Sequence, residues 1–329
     1  MRTLKLYSLL ACAATTLTPL LAAGQILPPG ASVERLATGY SFTEGPVYDG
    51  KGNLFFTDVQ RSQIIRYDDA TGTTELVDGS SGGANGLFFD HNGQIVSMDS
   101  NRRQVSRRAA DDISMVEEVL ATEWNENRFN STNDLVIAQD GGIYFTDPDY
   151  PNRQSQPEAV YYLNPSGELT QIISGFRRPN GIILSPDGQT LYLAVEAETR
   201  IMAYDVGADG LPSNEREFAK TNVDDNGNVI PAVSNGPDGM TVDPAGNVYA
   251  AVQNAVWAWD PTGQRLFDLS VPENPTNVTF GGGDGKTLFI TARSSLYGIE
   301  LNIVPEPGSL AILLIGGLAL GICRRRANL

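Results

Sequence analysis

Six oxygen-bearing side chains recur along the chain at one fixed distance from a glycine. Each of them, called an anchor below, lies eight positions before a turn glycine such as Gly52 or Gly188. The anchors are Glu44, Asn85, Asn133, Asn180, Asp238 and Asn277. Carboxylate and amide oxygens are hard donors, which suit Ca²⁺, Mg²⁺ or Mn²⁺. If the repeat units surround an axis, the anchors meet there and several of them can share one divalent cation. Taken alone, any one anchor is explained by the alternative, a polar residue at the start of a strand that caps a turn.

The segments around the anchors are short, apolar and strand-like. A second apolar run follows each turn glycine, as in residues 54–58 (LFFTD) and 143–147 (IYFTD). Consecutive anchors are 39 to 58 residues apart, and repeats of roughly 40–50 residues with several strands each are typical of β-propellers. The sequence therefore predicts an all-β fold, a six-bladed β-propeller with four strands in each blade.

Ring closure is predicted to involve both ends of this domain. The last repeat offers three strands, and the strand-like residues 33–39 (VERLATG) precede the first anchor without a blade of their own. We expect this N-terminal strand to complete the sixth blade, because pairing it there removes a free edge.

The net charge and the composition argue against several kinds of partner and reaction mechanism. The formal net charge of −16 argues against nucleic acid as a partner, since a phosphate backbone requires a basic surface. Both cysteines, Cys12 and Cys323, fall in terminal segments, so the domain itself offers no disulfide or thiol nucleophile. The single histidine, His91, occupies a turn of the Asp-x-x-Gly type, which leaves little basis for a Ser-His-Asp mechanism.

The two ends of the chain read as export and sorting signals. Residues 1–24 combine Arg2 and Lys5 with an apolar run and a small-residue cleavage region, as in a secretory signal peptide. Residues 304–329 contain Val-Pro-Glu-Pro-Gly, a short apolar stretch and an arginine cluster. This tail resembles the PEP-CTERM sorting signal, which implies transient membrane anchoring and cleavage by an exosortase-type enzyme; a plain C-terminal membrane anchor is the alternative. The propeller is then expected to span 25–303.

Several motifs of the repeat array resemble those of the gluconolactonase family, which also includes senescence marker protein and luciferin-regenerating enzyme. The resemblance covers nearly the whole array, in order. The motifs are Glu44-Gly-Pro46, residues 128–135 (RFNSTNDL), 144–148 (YFTDP), Arg178-Pro-Asn-Gly181, Pro237-Asp-Gly-Met240 and 276–282 (TNVTFGG). The resemblance implies a six-bladed propeller hydrolase of the calcium-dependent type.

The same resemblance implies roles for individual residues. Glu44, Asn180 and Asp238 match metal ligands, and Asn133 matches a position that is a metal ligand or a substrate contact in different members. Asp238 also matches the general base. Arg128 matches a substrate-contacting arginine, with a surface salt bridge as the alternative. One divalent cation is implied, Ca²⁺ first, with Mg²⁺, Mn²⁺ or Zn²⁺ as alternatives.

The function expected from these observations is metal-dependent hydrolysis of a sugar lactone in the bacterial cell envelope or outside the cell, by a monomer. A divalent ion polarises a carbonyl, and a neighbouring carboxylate takes a proton from water, so no serine or histidine is needed. Two alternatives stay open: hydrolysis of another lactone or an organophosphate ester at the same site, and a non-catalytic propeller that binds envelope components.

Overall fold

The computed structural model describes residues 26–150, 152–224, 228–230 and 236–303. The predicted signal peptide (1–24) and sorting tail (304–329) lie outside the described residues. Six four-stranded antiparallel sheets account for most of the described chain. Within this part of the chain, no helix has the length and apolar character needed to cross a membrane.

The first three blades follow one another along the chain, each ordered from the axis outward. Blade 1 contains β2 (Thr43–Tyr48), β3 (Asn53–Asp58), β4 (Gln63–Asp68) and β5 (Thr73–Asp78). Blade 2 contains β6 (Ala84–Phe89), β7 (Ile95–Asp99), β8 (Gln104–Arg108) and β9 (Val116–Ala121). A small ribbon of β10 (Glu123–Trp124) and β11 (Asn127–Arg128) follows. Blade 3 contains β12 (Leu135–Ile137), β13 (Ile143–Asp147), β14 (Ala159–Leu163) and β15 (Leu169–Ser174).

The remaining blades complete the ring. Blade 4 contains β16 (Pro179–Leu184), β17 (Thr190–Val195), β18 (Arg200–Val206) and β19 (Pro212–Lys220), with a 3₁₀ turn at Glu196–Glu198. Blade 5 contains β20 (Met240–Val242), β21 (Val248–Val252), β22 (Ala255–Trp259) and β23 (Arg265–Ser270). Blade 6 contains β24 (Pro275–Gly281), β25 (Thr287–Ala292), β26 (Ser295–Glu300) and, at its outer edge, β1 (Glu34–Thr38).

The closure predicted from the sequence is confirmed. Strand β1 pairs antiparallel with β26, with Glu34 opposite Gly298 and Thr38 opposite Ser295. The innermost strands contact one another in a closed circle, β2–β6–β12–β16–β20–β24 and back to β2. The chain therefore forms a six-bladed propeller whose first and last blades are joined through the N-terminal strand.

The hydrophobic core lies between the blades. Six apolar clusters occupy the six interfaces between neighbouring blades. On β3, for example, Leu54 and Phe56 pack toward blade 6 while Phe55 packs toward blade 2. Because both faces of these middle strands are buried, their sequences are continuous apolar runs and do not alternate with polar residues.

Candidate functional site

The anchors converge at one end of the propeller axis, as the repeat predicted. Four anchors lie in the innermost strands β2, β6, β16 and β24, and Asn133 and Asp238 lie two residues before β12 and β20. Five of them line a single cavity of about 490 Å³: Glu44, Asn85, Asn133, Asn180 and Asp238. The arrangement therefore brings two carboxyl groups and three amides to the walls of one compartment.

Close backbone packing around the axis explains how the anchors come together. Four of the anchors are followed by glycine, and these glycines stand where the next blade approaches. A Cβ added to Gly45 would lie 2.0 Å from the Asn85 carbonyl oxygen, and one added to Gly181 would lie 2.2 Å from that of Asp238. Any side chain at these two positions would push neighbouring anchors apart.

Two further carboxylates hold the loops that lead into the anchor strands. Asp58, at the end of β3, accepts hydrogen bonds from the backbone N–H groups of Ser41 (2.7 Å) and Phe42 (3.1 Å). Asp147, at the end of β13, accepts from those of Asn130 (2.8 Å) and Ser131 (2.7 Å). These bonds fix the backbone just ahead of Glu44 and Asn133, because buried N–H groups otherwise remain unsatisfied.

The sixth anchor, Asn277, does not line the cavity. Its side chain lies just below, beside the buried carboxyl of Asp134, to which its amide donates at 3.4 Å. Asn277 also hydrogen-bonds the Glu44 carboxyl. It therefore connects the cavity floor to a carboxylate that is buried deeper on the axis.

Several buried carboxyl groups in this region have raised pKa values. Burial, followed by the negative charge of Asp134, raises the pKa of Glu44 to about 8. Burial likewise raises the pKa of Asp134 to about 7. The pKa of Asp238 is raised well above its usual value, first by desolvation among the surrounding protein atoms and then by the charge of Glu44. Clustered acids that resist ionisation are typical of sites that bind a cation or exchange protons.

Asp134 and Glu196 were not predicted as site residues from the sequence. Asp134 directly follows the anchor Asn133, at a position where four other anchors are followed by glycine, so the departure from the repeat was the available signal. Glu196 lines the cavity just after β17, and burial raises its pKa to about 7. No spacing rule marks Glu196, since only the turn that follows β17 places it at the cavity.

Arg128 lies away from these groups. It is exposed in β11, and its guanidinium donates to the backbone carbonyl of Arg102 at 2.5 Å. It is not among the residues that line the cavity, whereas Arg153 and Arg293 are. Arg153 donates to the backbone carbonyls of Ser100 (2.8 Å) and Asn130 (2.7 Å), which attaches its loop to the cavity wall.

His91 occupies its predicted turn. Its ring is exposed and its Nε2 lies 3.0 Å from the carbonyl oxygen of Ala138, outside the cavity. A histidine-dependent reaction at the axis is therefore without structural support.

The donors that line the cavity are hard oxygens, which suit Ca²⁺, Mg²⁺ or Mn²⁺. Among the described residues, no group of three or more Asp, Glu, His or Cys side chains is gathered closely enough to hold a metal. A cation here would therefore depend on amide oxygens beside Glu44 and Asp238. Such mixed carboxylate and amide sets are characteristic of Ca²⁺ and related ions.

Comparison with known proteins agrees with this architecture. Residues 42–294 match the model of the SMP-30/Gluconolactonase/LRE-like region. The gluconolactonase of Zymomonas mobilis is 30% identical over an alignment of 302 residues, and the match covers 84% of this chain and 83% of that protein. A pentonolactonase of Haloferax volcanii is 28% identical and is matched over 75% of this chain and 80% of its own length.

A solved structure is similar over the same region. The gluconolactonase structure from Xanthomonas campestris superposes with a TM-score of 0.74 at 28% identity, covering 84% of this chain and 91% of that one. The match to the family model extends from just before the first anchor strand to the turn after β25. The chain therefore belongs to the SMP-30/gluconolactonase/LRE-like family.

Proposed function

We propose that this protein hydrolyses sugar lactones to the corresponding aldonic acids, with the help of a divalent cation. The observation that carries the proposal is the convergence of Glu44, Asn133, Asn180 and Asp238 on one cavity. Family membership and relatives named for lactone hydrolysis support the substrate class. A cavity of about 490 Å³ also matches the usual size of small-molecule sites.

The cation is assigned to four of the anchors. Glu44, Asn133, Asn180 and Asp238 would hold it through two carboxylates and two amide oxygens, and Ca²⁺ is the first choice, with Mg²⁺, Mn²⁺ and Zn²⁺ to be compared. When bound, the cation would stabilise negative charge that develops on the lactone carbonyl oxygen. A positive ion would also relieve the repulsion at this site, where the charge of Asp134 raises the pKa of Glu44 and the charge of Glu44 raises the pKa of Asp238.

Asp238 is assigned the role of general base. Its carboxylate would accept a proton from water as the water oxygen attacks the carbonyl carbon. The bond between the carbonyl carbon and the ring oxygen then breaks, and the proton passes to that oxygen, which becomes a hydroxyl. Desolvation and the charge of Glu44 raise the pKa of Asp238, and a more basic carboxylate accepts a proton more readily. The Asn180 side chain hydrogen-bonds this carboxyl and orients it.

Asn133 is assigned to the substrate as well as to the cation, since its side chain lines the cavity. Arg128 remains a proposed substrate contact, and it can fulfil that role only if the substrate extends beyond the cavity as described. Arg128→Gln tests this directly: an increase in KM would support the contact.

Export to the cell envelope is proposed from the terminal segments, and an exosortase-type enzyme is the proposed processing partner. Fractionation of cells that express the full chain, with immunodetection of each end, tests the location. Recovery of the intact chain from the cytoplasm would contradict it. Light scattering of the purified protein tests the proposed monomer.

The activity is tested by D-glucono-δ-lactone hydrolysis with and without a chelator. We expect a cation-dependent rate, and a loss of about 100-fold or more in kcat for Asp238→Asn. Asp187→Asn, in an exposed turn outside the cavity, is the matched control and should be unchanged. If no lactone in a panel is hydrolysed above background, the proposed function is wrong. If a panel of organophosphates is hydrolysed in its place, the ester class must be revised.

A further inference from the structure

A group of three side chains between blades 3 and 4 is not used by the reaction assigned above. Arg178 lies just before β16, and its guanidinium contacts two residues that line the cavity. One guanidinium nitrogen, Nη1, lies 3.5 Å from Oε1 of Glu196, and its Cζ lies 5.3 Å from the centre of the Tyr150 ring. The three residues are called the Arg178 group below.

The backbone at Arg178 is held in an unusual conformation. Its φ of 54° is in the left-handed region, which costs energy for a residue with a side chain. Its N–H donates to Oε1 of Glu158 at 3.1 Å, and its carbonyl accepts from the N–H of Glu196 at 3.1 Å. These bonds, made by the N–H and the C=O on either side of the Arg178 Cα, fix the direction in which its side chain leaves the backbone. Strained positions held in this way concentrate at functional sites.

Tyr150 carries an unsatisfied group. Its hydroxyl is buried and has no hydrogen-bond partner among the described residues, although the residue lines the cavity. Tyr161 also has a buried hydroxyl without a partner, but it lies in the apolar cluster between blades 2 and 3, away from the cavity. Burial of a hydroxyl without a hydrogen-bond partner is unfavourable. At a cavity wall, a bound ligand can supply that partner.

The chemistry of the group suits a polyhydroxylated ligand. A carboxylate accepts several hydrogen bonds from hydroxyl groups, and an aromatic ring offers an apolar face with a polar tip. Glu196 is not an anchor, its carboxylate lies 3.5 Å from the Arg178 guanidinium, and the reaction assigned above does not use it. The geometry points to Glu196 as the residue that selects the substrate by accepting hydrogen bonds from its hydroxyl groups, with Tyr150 against the sugar and Arg178 positioning both. This inference rests on the proposed function, because it takes the ligand to be a sugar lactone.

A comparison of two lactones tests the inference. D-Glucono-δ-lactone and δ-valerolactone share the six-membered ester ring, but the second has no hydroxyl groups. A site built to bind hydroxyls discriminates strongly against an analogue that lacks them. We expect Glu196→Gln to lower the ratio of the two kcat/KM values by about tenfold or more, mainly through KM for the sugar lactone.

Two pairs of variants distinguish effects at the cavity from general effects on the fold. Arg178→Met should lower the ratio about threefold to tenfold, since Glu196 loses its positioning contact. Arg200→Met is its matched control, because Arg200 in the same blade also pairs with a glutamate, Glu198, and stands over an aromatic ring, Phe176. Tyr150→Phe should lower the ratio, and Tyr161→Phe should leave it unchanged.

Binding measurements distinguish the failure of this inference from that of the proposed function. Calorimetry of D-gluconate with the wild type and Glu196→Gln tests the inference even if neither lactone is hydrolysed. Weaker binding by the variant supports the inference. Equal binding by the two proteins, or no binding by the wild type, overturns it. Titration with Ca²⁺ tests whether Glu196 is a ligand of the cation. If Glu196→Gln weakens Ca²⁺ binding about tenfold and leaves the lactone ratio unchanged, Glu196 is a cation ligand and the assignment to substrate hydroxyls is wrong.

Discussion

Replacing Asp134 by asparagine is expected to stabilise the metal-free protein at pH 8 and to have little effect at pH 5. Asp134 is buried below the cavity floor, and its pKa is raised to about 7 from an ordinary value of 3.8. The folded chain therefore binds this proton more tightly than the unfolded chain does. The stability that comes from the proton is fully present below about pH 4 and is lost as the pH rises through about 7.

The magnitude follows from the shift in pKa. Each unit corresponds to about 1.4 kcal/mol, so the buried carboxylate costs about 4 kcal/mol at pH 8 and about 1.5 kcal/mol at pH 5. Asparagine keeps an oxygen for the Leu135 N–H, which donates at 2.9 Å, but it loses the long contact with Asn277. That loss costs about 1 kcal/mol. The free energy of unfolding should therefore rise by about 3 kcal/mol at pH 8 and by well under 1 kcal/mol at pH 5.

Urea unfolding of both proteins in the presence of a chelator, at pH 5 and pH 8, measures this difference. Asp68→Asn is a suitable control: it removes an exposed carboxyl whose pKa is lowered by hydrogen bonds from Thr71, so any change should be small and opposite in sign at pH 8. If Asp134→Asn destabilises the protein equally at both pH values, the carboxyl gains more from its hydrogen bonds than it loses by burial, and the expected stabilisation is wrong.

Three further outcomes are expected. A divalent cation at 100 times its Kd should raise the free energy of unfolding by about 2.7 kcal/mol, seen as a rise of roughly 5–10 °C in Tm. The rise should be smaller at pH 5, where Glu44 with its pKa of about 8 is protonated, and no rise with any of Ca²⁺, Mg²⁺, Mn²⁺ or Zn²⁺ would contradict the cation site. Gly181→Ala should cost about 3 kcal/mol in urea unfolding, because its Cβ meets the Asp238 carbonyl oxygen, whereas Gly188→Ala, with open space around it, should cost about 1–2 kcal/mol for its positive φ alone. His91→Ala should retain lactone hydrolysis within about twofold, since His91 lies outside the cavity, and a loss of about 100-fold would show that histidine chemistry was wrongly dismissed.

The architecture was accessible from the sequence because a propeller is built from local repeats. Strand, turn glycine and second strand recur within short distances, so each blade is specified by nearby residues, and the count of anchors gave the number of blades. The pairing of the N-terminal strand with the last blade could also be predicted, because that blade lacked one strand and the N-terminal strand had no blade of its own. The resemblance of the motifs added the expected ligands.

The composition of the cavity was only partly accessible, because it depends on how the blades meet. Periodicity located Glu44, Asn180 and Asp238, but Asn277 carries the same signal and lies below the cavity beside Asp134. Glu196 and Tyr150 reach the cavity through turns after the second strands, and both contact Arg178, which precedes a different strand. The ring and the residues that begin its inner strands could thus be predicted from short-range patterns alone. Which side chains share the cavity, and which carboxylates are desolvated there, depends on the folded chain, because burial and charge repulsion arise when six separate blades close around one axis.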